Sequence, residues 1–217
     1  MGLSGIFAHL ADGLLYTIGV TLTCSVTGLV VGLTVAALHR LGGKPLRALT
    51  DVYTYVLRGV PVLVLLFLVY FGLPGLGLKI PPLAAMALSL GLVAGANLAE
   101  VFRGALDAVD PVEILAGQSM GMTRFQIFHY IEMPQMLRFA IPGMVNEFTA
   151  VLKYSPFAYT VGIPEITKQA ITLTGTTLQG TEIYLAVGVL YFAIYRVLLL
   201  GVQFIERLYR VPGIRAV

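Results

Sequence analysis

Long apolar stretches, each bounded by a short polar segment, dominate the pattern of this chain. The clearest stretch runs from Leu14 to Leu38 and contains no charged residue. Because about 20 mostly apolar residues cross a bilayer as a helix, this pattern predicts a membrane span. Gly28 and Gly32 lie four residues apart within it, a spacing typical of close helix packing. Other stretches of the same character predict about five spans in all, and they lie at about 46–72, 82–102, 139–163 and 183–205.

Two of the predicted spans contain residues that disturb a helix. The second span carries Gly59 and Pro61, which predict a kink. In the fourth span Pro156 follows Ser155, and a proline there predicts a break in the helix. Broken helices at membrane depth expose backbone groups that can hold a ligand.

A polar segment of about thirty residues lies between the third and fourth spans. Asp110 is a good N-cap for a first helix, and Gly121 suits the left-handed position that ends a helix. Thr123 and Gln126 have the spacing of a capping box for a second helix, and Pro134 predicts where that helix ends. The segment is therefore predicted to fold as a helix–glycine–helix hairpin, which we call the hairpin.

Composition changes this picture little. The chain is 58% hydrophobic and only 12% charged, whereas soluble domains carry about 25% charged residues. We therefore expect an all-α membrane protein with a single transmembrane domain over residues 1–217 and the hairpin at about 104–137. A net charge of +3 is too small to indicate nucleic-acid binding. One cysteine, Cys24, and three scattered histidines predict neither a disulfide nor a metal site.

The distribution of Lys and Arg predicts the orientation, because cytosolic loops carry an excess of both. Lys79 and Lys168 lie on one side of the predicted spans. The other side collects nine cations, which are Arg40, Lys44, Arg47, Arg103, Arg124, Arg138, Arg207, Arg210 and Arg215. This bias predicts a multi-pass protein of the cell (cytoplasmic, or inner) membrane with the N-terminus outside and with the hairpin and the C-terminus in the cytosol.

The chain has no phosphate-binding loop of the form GxxxxGK[S/T], so we expect no enzyme activity and no cofactor in this chain.

A set of short motifs in chain order resembles the permease subunits of ABC importers, and among them the branch for uptake of polar amino acids. In the hairpin, nine residues separate Gly121 from Ile131-x-Met133-Pro134. The remaining motifs extend over most of the chain, and they include Arg58-Gly59-x-Pro61, Ala94-Gly95-Ala96-Asn97-x-x-Glu100-x-x-Arg103-Gly104, Asn146-Glu147-Phe148 and Val161-Gly162-Ile163-Pro164-Glu165-Ile166. The chain departs from the family pattern at Leu115, where a glutamate is usual, and at Tyr154, where an aspartate is usual.

The resemblance implies a permease that alternates between outward- and inward-facing states, driven by ATP hydrolysis in separate subunits. Its implied partners are a second permease chain of the same or another sequence, two cytosolic ABC ATPases that bind ATP and Mg²⁺, and an extracytoplasmic solute-binding protein. It also implies that the hairpin couples to the ATPase, through residues identified as Leu115, Ala116, Gly117, Gly121, Met122, Thr123, Arg124 and Phe125. From periodicity alone the hairpin could instead lie on the lipid surface or cover the protein's own helices.

Glu147 is predicted to lie near the middle of the bilayer, roughly 13 Å from the cytosolic end of its helix at about 1.5 Å per residue. A carboxylate there is costly unless it faces a partner or a wet cavity. One interpretation is a pathway for the substrate, with a mild preference for cationic or zwitterionic amino acids; its predicted residues are Asn97, Glu147, Tyr154 and Ser155. The other interpretation is structural, with Glu147 neutral or paired with Lys153 or Arg196.

Four further charges are predicted to form structural ion pairs, within or between helices, and they are Asp51, Arg58, Glu100 and Arg103. Three other functions stay open at this point. A stand-alone channel or secondary carrier would move substrate without an ATPase. A membrane assembly protein would not transport at all, and a permease of the same fold could carry another small polar solute.

Overall fold

The computed structural model describes residues 2–209, and residues 202–209 through their backbone alone. The described residues form helices joined by short turns, which confirms the predicted all-α fold. The α-helices are α1 Leu3–Ala11, α2 Leu14–Leu41, α3 Lys44–Gly59, α4 Val62–Phe67, α5 Pro82–Met86, α6 Leu92–Asp107, α7 Pro111–Ser119, α8 Arg124–Ile127, α9 Met133–Tyr154, α10 Ile166–Thr177 and α11 Gly180–Tyr209. Three π-helical turns, Leu68–Gly72, Ala87–Gly91 and Phe128–Glu132, and two 3₁₀ segments, Leu73–Leu76 and Ser155–Val161, complete the structure.

Three helical segments are long and apolar enough to cross a membrane, namely Leu14–Leu41, Pro82–Asp107 and Gly180–Gly201. They correspond to the first, third and fifth predicted spans. Helix α9 occupies the position of the fourth. Its 22 residues are long enough to cross a bilayer at about 1.5 Å per residue, but polar side chains such as Arg138 interrupt its apolar surface.

The second predicted span is bent far more sharply than a kink. Lys44–Gly59 and Val62–Leu76 meet at 101°, and together they would count as a fourth apolar span. The cause lies between them, where Val60 is extended with φ −97° and ψ 129°. A residue before proline is pushed out of the helical region, so α3 ends and a new helix begins after Pro61.

The prediction that Pro134 ends the second hairpin helix is wrong. The backbone passes from α8 through the π-turn Phe128–Glu132 directly into α9, with Pro134 in the first turn of that helix. A proline lacks an N–H and is tolerated in a first turn, and the wider π-turn in front of it keeps the chain helical. The hairpin is consequently continuous with the helix that carries Glu147.

The core is built on the pair α2 and α6, which pack at close range. A Cβ atom added to Gly28 would lie 2.8 Å from the Cβ of Ala94, and one added to Gly32 would lie 2.7 Å from the Cβ of Leu98. The predicted role of these two glycines in helix packing is confirmed. Helix α9 packs on the other face of α6, so the three helices form one unit.

A short N-terminal helix, α1, lies outside the elements that the sequence predicted. Its buried Ile6 and Leu10 join Ile166 and Ile183 in a separate apolar cluster with α10 and α11. Arg210 and Arg215, which contributed to the predicted orientation, lie with the C-terminus outside the described residues.

Candidate functional site: the hairpin and the polar contacts behind it

The first hairpin helix begins and ends as its sequence predicts. The side chain of Asp110 accepts a hydrogen bond from the Val112 N–H at 2.8 Å. Gly121 has φ +78°, and the Met122 N–H donates to the Gly117 carbonyl at 3.1 Å. This is the bonding pattern of a left-handed glycine after a helix, and it reverses the chain within a few residues.

The second hairpin helix begins with the predicted capping box. The Gln126 N–H donates to the Thr123 hydroxyl at 3.3 Å, and the Gln126 side chain accepts from the Thr123 N–H at 2.8 Å. Two otherwise unpaired backbone groups are satisfied in this way.

The two helices of the hairpin pack tightly around Gly117. This glycine is buried, and a Cβ atom there would lie 2.9 Å from Cδ1 of Ile131. The Gln135 side chain also donates a hydrogen bond to the Glu113 carboxylate. The hairpin therefore has a small core of its own.

An apolar face of the hairpin is uncovered, which we call the docking face. Val112 is 67% exposed, Leu115 59%, Met120 83% and Phe125 65%. Ala116 and Thr123 are exposed beside them. A cluster of apolar side chains this open on a folded, capped unit indicates a surface for a partner or for lipid.

Residues 117–121 also have the spacing G-x-S-x-G. A nucleophile elbow places this serine in a strand-to-helix turn, whereas Ser119 is the last residue of α7 and its hydroxyl donates to the Leu115 carbonyl at 2.9 Å. The pattern is not a hydrolase site. Among the described residues no group of three or more His, Cys, Asp or Glu side chains is placed to hold a metal ion.

Behind the docking face, the hairpin meets the first span at Arg40, a residue that sequence reasoning missed. The Arg40 guanidinium pairs with Glu132, with Nε 3.0 Å from Oε1, and its Nη1 lies 3.7 Å from the Asp107 carboxylate. Arg124, one of the predicted coupling residues, is exposed and donates to the Arg40 carbonyl. Local periodicity could not reveal these contacts, since Arg40 and Glu132 are 92 positions apart.

Two of the predicted substrate-pathway residues are in direct contact. The Asn97 amide of α6 donates to Oε1 of Glu147 on α9 at 3.0 Å, and Arg58 interacts electrostatically with the same carboxylate. Among the described ion pairs, none joins Glu147 to Lys153 or Arg196. Glu147 is thus half-buried with one neutral donor and one more distant cation.

The other two predicted pathway residues lie one turn or more beyond. Tyr154 is 43% exposed, and its ring stacks on Phe157 with centroids 5.8 Å apart. The Ser155 hydroxyl is fully buried and donates to the Leu152 carbonyl at 2.8 Å. Tyr154 is therefore available to a ligand, and Ser155 closes the end of α9.

Three of the four predicted ion-pair residues form one cluster. Nη1 of Arg103 lies 2.9 Å from both the Asp51 and the Glu100 carboxylates, and Nδ1 of His39 lies 3.5 Å from Asp51. Asp51 therefore joins α3 to α6. Arg58 is exposed and is part of no ion pair within the described chain.

A second buried acid, Glu165, is the N-cap of α10. Its carboxylate accepts from the backbone N–H groups of Thr167 and Lys168 and from the Tyr191 hydroxyl, each at 2.8 Å. Burial raises the pKa of Glu165, and these donors oppose that shift. The motif Pro164-Glu165-Ile166 contained the signal, because a carboxylate directly before a helix suits an N-cap.

The chain matches a known family over most of its length. The family model described as "Binding-protein-dependent transport system inner membrane component" matches residues 28–211. Similar proteins include the Escherichia coli histidine/lysine/arginine/ornithine transport system permease protein HisQ, 32% identical, with 99% of this chain and 98% of that protein covered. Another is the "Probable amino-acid permease protein YxeN" of Bacillus subtilis, 36% identical, with 87% and 85% covered.

Solved structures agree with the sequence comparisons. An amino acid ABC transporter crystallised with histidines has a TM-score of 0.84 at 30% identity, covering 92% of this chain and 94% of that one. The MetNI methionine transporter in an inward-facing conformation shares the fold with a TM-score of 0.82 at 20% identity, covering 97% of this chain and all of that one.

Proposed function

Because the chain belongs to the family of binding-protein-dependent transport system inner membrane components, we propose that it is the permease subunit of an ATP-driven importer for polar amino acids. The observation that carries this proposal is the hairpin, a capped unit with exposed apolar side chains that also contacts the first span. The protein lies in the membrane, and its role is transport.

The proposed assembly contains a second permease chain, two cytosolic ABC ATPases and an extracytoplasmic solute-binding protein. ATP and Mg²⁺ bind to the ATPases, and this chain is not itself catalytic. In this arrangement the N-terminus lies outside and the C-terminus in the cytosol, consistent with the Lys and Arg bias along the sequence.

The docking face, with its neighbouring glycines, takes the role of the coupling element. Apolar side chains at the centre of an interface supply most of its binding energy, and Leu115 and Phe125 are open to do so. Closure of the ATPases would displace the hairpin. Because the hairpin continues through the π-turn into α9, that displacement would reach the helix that carries Glu147.

The proposed substrate pathway follows Asn97, Glu147 and Tyr154 along α6 and α9. A half-buried carboxylate with a single neutral hydrogen-bond donor leaves lone pairs free for a cationic group. This chemistry favours a basic or zwitterionic amino acid. The transport system of HisQ is named for histidine, lysine, arginine and ornithine, in agreement with that preference.

Co-purification tests the coupling role. Leu115→Lys places a charge in the docking face, and we expect it to abolish retention of the ATPase subunit by the detergent-solubilised permease. Leu178→Lys is the matched control, since Leu178 is also exposed, at 88%, but lies in the turn between α10 and α11. Retention of the ATPase by both variants would contradict the role of the docking face.

A stand-alone carrier is distinguished in the same preparation. Proteoliposomes that contain this chain without an ATPase should take up no labelled amino acid down a gradient. Uptake that needs neither ATP nor a partner would replace the proposal by that of a carrier.

A further inference from the structure

Three polar contacts join the hairpin to the first span at one residue, Arg40. Asp107 lies near the start of the hairpin segment, Arg124 begins its second helix and Glu132 lies near its end. The Arg40 guanidinium pairs with the two acids, and the Arg40 backbone carbonyl accepts a hydrogen bond from Arg124.

The central contact is a buried ion pair. The Glu132 side chain is only 6% exposed, and Arg40 is the only cation paired with it among the described residues. A buried carboxylate requires a partner charge, so the position of the π-turn depends on the position of Arg40. Arg40 is 32% exposed, and the pair therefore lies at the edge of the protein.

Apolar packing holds the base of the hairpin, because Phe128 of the π-turn is buried in one cluster with Ala36 of α2 and Phe102 of α6. The hairpin faces Arg40 across a cavity of about 310 Å³, which Ile114, Met122 and Ile127 line from the hairpin side. Above it, α2 packs tightly on α6 and also contacts α9. The buried ion pair, the contact with Asp107 and the hydrogen bond from Arg124 thus add a polar link between the hairpin and the first span to the apolar contact at Phe128.

From this geometry we infer that Arg40 is a positioning residue for coupling: through Glu132, Asp107 and Arg124 it fixes the hairpin to the cytosolic end of the first span, so that the two move together. The inference rests on the proposed function for its consequence in transport. The structural part does not need it, because the link is contained within this chain.

The first test measures hairpin motion in the purified permease alone. Cys24 is the only cysteine and is buried, so a nitroxide can be attached selectively to Met120→Cys, at a residue that is 83% exposed. The double variant Arg40→Gln/Glu132→Gln removes both charges of the buried pair and leaves only the exposed Asp107 without its cation. We expect its electron paramagnetic resonance spectrum to show a distinctly faster-moving component.

Three further variants make this test specific. Arg40→Lys keeps the charge and should preserve most of the slow component. Arg138→Gln neutralises an exposed arginine of α9 outside the described ion pairs and should change nothing. Arg124→Met removes only a surface contact, cannot unfold the core, and should increase the motion by a smaller amount. Unchanged spectra in both the double variant and Arg124→Met would overturn the inference.

The second test measures coupling in the complete transporter. In Arg40→Gln/Glu132→Gln we expect the ATPase to remain bound and to hydrolyse ATP, while the amount of amino acid imported per ATP falls at least about tenfold. Arg40→Lys should restore part of that ratio. A merely structural role would instead lower assembly, hydrolysis and import together. If the wild type itself imports nothing with ATP, the proposed function fails, and the spectroscopic result still decides on the link.

Discussion

At the scale of single residues, the proposed substrate pathway centres on Glu147. It is held by one hydrogen bond from Asn97, on a helix that is continuous with the hairpin. A carboxylate in the apolar part of a membrane protein is retained where it faces a partner or a wet cavity. The structure provides one neutral hydrogen-bond donor, Asn97, and one more distant cation, Arg58.

Glu147→Gln should therefore weaken import of basic amino acids more than import of neutral ones. A tenfold change in affinity corresponds to about 1.4 kcal/mol. We expect the loss of the charged contact to raise the KM for arginine or lysine by at least about tenfold. Glu182→Gln, at an exposed acid in the first turn of α11, is the control. Equal effects of Glu147→Gln on basic and neutral amino acids would contradict a selective role for the charge.

Packing between the spans can be tested at two glycines of the same helix. A Cβ atom at Gly32 would lie 2.7 Å from the Cβ of Leu98 and 3.1 Å from the Gly95 carbonyl oxygen. A Cβ atom at Gly19 would have no neighbouring atom within 4 Å. Gly32→Ala should destabilise the protein by about 1–3 kcal/mol through overpacking. Gly19→Ala should be neutral or stabilise it slightly. Thermal unfolding in detergent measures both, and equal melting temperatures would argue against close α2–α6 packing.

At the scale of elements, the hairpin depends on its turn. Gly121 has φ +78°, a conformation that costs an L-residue about 1–2 kcal/mol. Gly121→Ala should speed hydrogen–deuterium exchange across residues 112–131. Gly104→Ala, at a helical position of α6 with no atom near the added Cβ, should leave exchange there unchanged. If Gly121→Ala does not speed hydrogen–deuterium exchange, the helix caps at Asp110 and Thr123 hold the hairpin together without the glycine.

Local signals explain why the hairpin was predictable in such detail. Asp110, Gly121 and Thr123 act on neighbours within a few residues, and the structure bears out each of them. Proline effects were harder to predict, because the same residue type bends the chain by 101° after Val60 and leaves it helical at Pro134. What decides between these outcomes is the backbone in front of the proline.

Long-range pairs were beyond local reasoning. In the sequence Arg40 is only one of nine cations that predict the cytosolic side, and no local pattern marks Glu132. The sequence predicts ion pairs within or between helices for Asp51 and Arg58; Asp51 pairs between helices, with Arg103 on α6, and Arg58 forms no ion pair among the described residues. Partner choice between helices depends on how α2, α3 and α6 pack, and a single-sequence pattern does not contain that information.

At the scale of the whole molecule, orientation determines which side each surface serves. The proposed assembly requires the hairpin to face the ATPases in the cytosol and the segment around Lys79 to face the solute-binding protein. Both expectations rest on the same charge bias, so a measurement of sidedness tests them together.

Buried Cys24 makes that measurement simple, because introduced cysteines react without a background. In intact cells a membrane-impermeant maleimide should label Lys79→Cys, in an exposed turn, and should spare Lys44→Cys at the start of α3 until the membrane is permeabilised. Met120→Cys should behave like Lys44→Cys. The reverse pattern would place the docking face outside the cell, where no ATPase could reach it, and would exclude coupling through the hairpin whatever the similarity to known importers.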